Sequence, residues 1–152
     1  MCDNRFYRCA ACGTTVGMIH DGGHPLSCCG REMEHLLPNT TDSTSAGSPE
    51  KHIPVLRVHK KFSSAEECCG TPDTAVCAPG GCEVYTVDVG ETHHPMDDDH
   101  AIRWIYLQTT VGGQRKCLSP GAVPHAAFAL TEEKPTAVYA YCDKHGLYMT
   151  KL

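Results

Sequence analysis

Cysteine and histidine are the residues with chemistry to offer in this sequence. Its 152 residues include 11 cysteines and 10 histidines. Cys9 and Cys12 form a Cys-x-x-Cys pair, and Cys28 and Cys29 follow as an adjacent pair. Two residues between thiols let a tight turn aim both sulfurs at one ion, and four thiolates complete a tetrahedron. The adjacent pair is the unusual part. Neighbouring side chains normally diverge, so holding one ion with both strains the turn. Gly13 and Gly30, each just after a ligand pair, supply the backbone freedom such knuckles need. The spacing favours a metal over disulfides, and an odd number of cysteines excludes complete internal pairing. Zinc and iron both suit a soft tetrathiolate site.

A second group of candidate ligands follows: Glu50-Lys51-His52, His93-His94-Pro95-Met96, His100, and Cys142-x-x-His145. The last is the most specific, because a three-residue offset in a turn presents thiolate and imidazole to one ion. His52, His94, His100, His145 and Cys142 together offer four neutral nitrogens and one thiolate. That set fits a five-coordinate transition metal with one open position, and a divalent iron there keeps a net positive charge that attracts a small anion. A thiolate trans to the opening donates electron density to whatever binds. Each residue alone has a weak case. Isolated histidines such as His20, His24, His35, His59 and His125 read as surface or packing residues, and Glu50-Lys51 alone reads as a solvated charged pair.

Several elements must position these groups. The chain is 41% hydrophobic and 20% charged, with a formal net charge of −5. This is globular composition with no broad basic face for nucleic acid. No apolar run is long enough to span a membrane, and Met1-Cys2-Asp3-Asn4-Arg5 leads into no signal-like apolar core. These features predict a cytoplasmic protein, in a reducing compartment where dense cysteines hold metal. Residues 1–37 are too few and too rich in Gly and Pro to stabilise themselves by burial alone, which predicts a metal-stapled domain. Residues 38–49 read as a linker. From residue 50 to 152, short β-branched and aromatic runs at 53–58, 84–89, 101–109, 126–130 and 137–141 alternate with Gly, Pro or Asp clusters. Helical spacing is absent, so the prediction is a mainly β protein: a small metal module, then an antiparallel β-sandwich.

Taken together, the motifs resemble desulfoferrodoxin, the two-iron class of superoxide reductase. The matching pieces are Tyr7-Arg8-Cys9-Ala10-Ala11-Cys12-Gly13, Cys28-Cys29-Gly30-Arg31-Glu32-Met33, Glu50-Lys51-His52-Ile53-Pro54-Val55, His94-Pro95-Met96 with His100 and Trp104, and Tyr141-Cys142-Asp143-Lys144-His145-Gly146. The resemblance implies a desulforedoxin-like domain with a rubredoxin-like Fe(Cys)4 centre on Cys9, Cys12, Cys28 and Cys29. It implies a second iron on an immunoglobulin-like sandwich, with His52, His94, His100 and His145 equatorial and Cys142 axial. The implied reaction is one-electron reduction of superoxide to hydrogen peroxide, with Fe(II) restored by an external donor such as rubredoxin. Lys51 would attract superoxide and help deliver a proton-bearing water, and Glu50 would fill the vacant ferric position after turnover. His93 adjoins a ligand position, but the His-Pro-Met match and the six-residue step to His100 favour His94. A homodimer is implied as well.

One stretch departs from the pattern. The insert at about 62–82 is long, and its Cys68, Cys69, Cys77 and Cys82 are compatible with a third metal site, a redox pair or free thiols. Cys2 and Cys117 have no evident role. Two other functions compete with the reductase: a non-catalytic zinc- or iron-binding module, and an electron-transfer protein using the tetrathiolate centre.

Overall fold

The computed structural model describes residues 5–40, 51–62, 81–92 and 94–152, with only the backbone at His59 and Lys60. Cys2, Glu50, His93, most of the expected linker, and most of the insert with Cys68, Cys69 and Cys77 lie outside the described residues. Among the described residues no helix is long and apolar enough to cross a membrane.

The first strands are short. They are β1 (Arg5–Arg8), β2 (Thr15–Met18), β3 (Ser27–Cys28), β4 (Arg31–Glu32) and β5 (Glu34–His35). They form a three-stranded sheet in the order β2-β1-β5 and a β3-β4 ribbon. Longer strands follow: β6 (Pro54–Phe62), β7 (Cys82–Val89), β8 (Ile102–Thr109), β9 (Gly113–Cys117), β10 (His125–Leu130), β11 (Pro135–Cys142) and β12 (Gly146–Lys151). A three-stranded sheet, β10-β7-β6, packs on a four-stranded one, β12-β11-β8-β9, and every named pair is antiparallel. The sandwich and the small N-terminal unit agree with the fold class expected from the sequence.

The main core lies between the two sheets. Val87 and Val89 of β7 and Phe128 and Leu130 of β10 meet Ile102, Ile105 and Leu107 of β8 and Val138, Ala140 and Cys142 of β11. β10 alternates exposed and buried residues, as a strand with one wet face should. β11 does not, being buried from Ala137 to Cys142. Its second face is covered by the N-terminal unit: Phe6 of β1 sits in an aromatic cluster with Trp104, Tyr139 and Tyr141. The ring centroids of Phe6 and Trp104 are 4.9 Å apart. Asn39 ties the chain leaving this unit to β12, through backbone hydrogen bonds with Leu147 and Met149.

This topology gathers one set of strand ends. The start of β6 pairs with the end of β7 (Pro54 with Val89), and the start of β8 pairs with the end of β11 (Ile102 with Cys142). The segments holding His52, His94, His100, Cys142 and His145 all leave the sandwich at that end.

Candidate metal centres

The structure brings both sequence-derived ligand groups together. The sulfurs of Cys9, Cys12, Cys28 and Cys29 lie within 4.8 Å of one another, as do the ligand atoms of His52, His94, His100, Cys142 and His145.

In the first group, Cys12 Sγ is 3.6 Å from Cys28 Sγ, and Cys28 Sγ is 3.9 Å from Cys29 Sγ. Sulfurs bound at about 2.3 Å to one tetrahedral ion stand about 3.8 Å apart. All four are free cysteines. The adjacent pair converges because Cys29 takes a left-handed conformation, φ 51°, followed by Gly30 at φ 70°. The Thr14 hydroxyl and backbone beside Cys12 bring that thiol down to about 6, whereas contacts with Cys12 and Cys9 push Cys28 up to about 12. One thiolate among four close sulfurs thus opposes a second, and a cation removes that opposition.

In the second group the four imidazoles form a square. Successive centroids, in the order His52, His94, His100, His145, are 4.6, 4.7, 4.7 and 4.7 Å apart, with neighbouring rings nearly perpendicular. The His52–His100 diagonal is 6.4 Å, close to that of a square with this edge. His52 Nε2 faces His145 Nδ1 at 2.8 Å, His100 Nε2 lies 3.2 Å from the same Nδ1, and Cys142 Sγ lies 3.7 Å from it. Nitrogens bound at about 2.1 Å to one ion at right angles are about 3.0 Å apart.

His94 supplies the sharpest test of fit. Its Nδ1 donates to the Pro95 carbonyl at 2.5 Å, so its Nε2 is left as the acceptor. That Nε2 is buried without a hydrogen-bond partner. An orphaned imidazole nitrogen costs stability unless something binds it, and a metal ion in the square would do so. Burial, reinforced by its histidine neighbours, lowers His94 to about 4 and keeps it neutral, as a ligand must be. Burial also lowers His100 and raises the Cys142 thiol, the latter against backbone N–H groups of His145 and Lys144. The residues therefore fit a thiolate-accepting transition metal.

Two supports were not evident in the sequence. Tyr148, fully buried in β12, stacks on His52 at 4.7 Å and 18°. Gly90, at φ +82°, lies against the chain just before His52; a Cβ there would be 2.5 Å from the Lys51 carbonyl oxygen and 2.6 Å from that of Thr92. Gly90→Ala should therefore displace the segment carrying Lys51 and His52. The expected loss is about 2 kcal/mol in denaturant unfolding, with a lower metal content at this group. An unchanged midpoint with full metal content would exclude that role.

A groove of about 690 Å³ between the N-terminal unit and the outer face of the sandwich is lined by Phe6, Arg8, Trp104, Arg115 and Asp143 among others, and by none of the candidate ligands. Of the four cysteines at 62–82, Cys82 is the one described; it is disulfide-bonded and so leaves the set of free thiols.

Comparison with known proteins agrees with this arrangement. The family model described as "Desulfoferrodoxin, N-terminal domain" matches residues 3–36, and the one described as "Desulfoferrodoxin" matches 75–151. A desulfoferrodoxin of Syntrophotalea carbinolica is 34% identical over 145 residues, 95% of this chain and 94% of the relative. One from Nitratidesulfovibrio vulgaris is 34% identical over 92% of this chain and 90% of its own. The superoxide reductase from Treponema pallidum superposes with a TM-score of 0.72 at 25% identity, covering 99% of this chain and 100% of that one. The chain belongs to the desulfoferrodoxin family, and its tetrathiolate and four-histidine, one-cysteine groups match that family's two iron centres.

Proposed function

We propose that the chain is an iron-dependent superoxide reductase: one superoxide, one electron and two protons give one hydrogen peroxide. The observation that carries the reading is the square of four imidazoles with its orphaned His94 nitrogen and the buried Cys142 thiol. Cys9, Cys12, Cys28 and Cys29 hold the first iron, and His52, His94, His100, His145 and Cys142 hold the second. Iron held by the second group supplies the electron that superoxide takes up.

The chain's own residues do the rest. Four neutral imidazoles and one thiolate would offset only one charge of a divalent ion, leaving a net positive site that favours an anion over a neutral molecule. His52 and His94 are buried and His100 and His145 half-buried, which limits the access of water to the site. Lys51, next in sequence to His52, adds a cation that draws the anion in, and Glu50 occupies the site after turnover. A rubredoxin-type protein returns the electron in the cytoplasm. The division into residues 1–37, a linker at 38–49 and a reductase domain at 50–152 goes with this reading. So does a homodimer: β2 is a sheet edge, and Ile19 just beyond it is wholly exposed.

The test begins with anaerobically purified, reduced protein carrying two irons per chain. A pulse of superoxide should oxidise the second centre rapidly and yield peroxide without dioxygen. Iron-loaded protein that superoxide fails to oxidise would end the proposal, and zinc at both groups would favour the non-catalytic module. Lys51→Ala should slow the reaction about tenfold and flatten its dependence on ionic strength, with both metals retained. Stopped-flow rates across a salt series check this; an unchanged salt slope removes Lys51 from steering.

A further inference from the structure

Arg103 occupies an irregular place in the sheet. In the β8–β11 ladder Tyr141 faces Trp104 while Cys142 faces Ile102, so Arg103 is the extra residue of a β-bulge with no ladder partner on β11. The bulge resets the strand's phase. Ile102 joins Ile105 and Leu107 in the main core opposite Cys142, while Trp104 turns to the outer face.

The side chain of Arg103 reaches the two segments that end in ligands. Its Nε and Nη2 donate to Asp143 Oδ2 at 2.6 and 2.5 Å, and Nη2 also donates to the Asp98 carbonyl at 2.7 Å. Asp143 lies between Cys142 and His145. Its other oxygen accepts the Ala101 N–H at 3.0 Å, and its own N–H donates to the Ala101 carbonyl at 3.2 Å. Asp98 belongs to the tight 97–100 loop, closed by reciprocal backbone hydrogen bonds between Asp97 and His100. One guanidinium thus joins the turn that carries Cys142 and His145 to the loop that carries His100.

We propose that Arg103 is a positioning residue for the second metal centre, a bulge-borne clamp that sets the thiolate and His145 in register with His100. The proposal rests on the reading of that group as a metal centre. The planar guanidinium gives two N–H groups to Asp143 Oδ2 and a third to the Asp98 carbonyl in one fixed arrangement; a lysine ammonium keeps the charge without that rigid fork. Partners that orient metal ligands typically change metal affinity by about 10–100-fold when removed.

The experiment uses the full chain reconstituted with iron. Two readouts apply: the rate at which a chelator strips the second centre, and the position of its thiolate-to-iron(III) absorption band. Arg103→Gln and Arg103→Lys should both lose this iron about tenfold faster than the parent and shift the band. The tetrathiolate spectrum and the unfolding midpoint of metal-free protein should stay as in the parent. Asp143→Asn, which keeps an acceptor for Ala101, should move both readouts in the same direction and decides the matter if the arginine variants fail to fold. Parent-like rates and bands in the folded variants would overturn the clamp while leaving the metal centre intact. A parent that holds no metal at this group would overturn both.

Discussion

Cys142→Ser should leave a folded chain that no longer reduces superoxide, with the rate down by more than about 100-fold. Cys142 is fully buried at the end of β11, against the main core and beside His145. A serine is isosteric enough to keep the strand, at a cost of about 1–2 kcal/mol for its buried hydroxyl. What it removes is the soft, anionic donor. The neutral hydroxyl would leave more positive charge at the centre, so attraction of superoxide would not fall. The expected loss therefore isolates electron donation by sulfur. Stopped-flow kinetics on the reduced variant, with its iron content measured in parallel, checks this. Retained activity with iron bound would refute the assignment of Cys142.

Phe6→Ala should destabilise the chain by about 3 kcal/mol, or 6–12 °C in Tm. Phe6 is buried against the outer face of the four-stranded sheet, with Trp104, Tyr106 and Tyr139 at centroid distances of 4.9, 5.5 and 5.6 Å. These contacts fasten the N-terminal unit to the sandwich. Superoxide activity should survive, because the four-histidine group is built by strand ends of the sandwich alone. Trp104 is the chain's one tryptophan, so its emission reports the loss of Phe6 directly. An unaltered melting temperature and emission spectrum would show that the unit is held elsewhere.

Among the strands, β6, β7, β8 and β11 were legible in the sequence as runs of β-branched and aromatic residues, and β10 as a short apolar run, Ala-Ala-Phe-Ala-Leu, between turn signals. β9 was not, since Gly-Gln-Arg-Lys-Cys is a polar, exposed edge strand with no apolar face to reveal it. β12 was hidden for another reason: its start follows the Cys-x-x-His turn, and Gly146–Lys151 follows no clean alternation, with Leu147 and Tyr148 both buried. The N-terminal strands of two to four residues are too short for any periodicity to register.

The sequence by itself determined the donor types, their number and the families of chemistry open to them. Cysteine and histidine at metal-binding spacings are local facts, and no folding is needed to read them. Tertiary structure alone decided that His52 and His145, 93 residues apart, would meet at 2.8 Å, and that Cys29 could turn left-handed to join Cys28. The devices that hold the second site behave likewise. Gly90 yields room to the backbone before His52, Tyr148 stacks on that ring, and Arg103 reaches Asp143 across 40 positions. None carries a signature in its own neighbourhood, because each acts on a segment, distant in sequence, that strand pairing or the packing of one sheet on the other brings beside it.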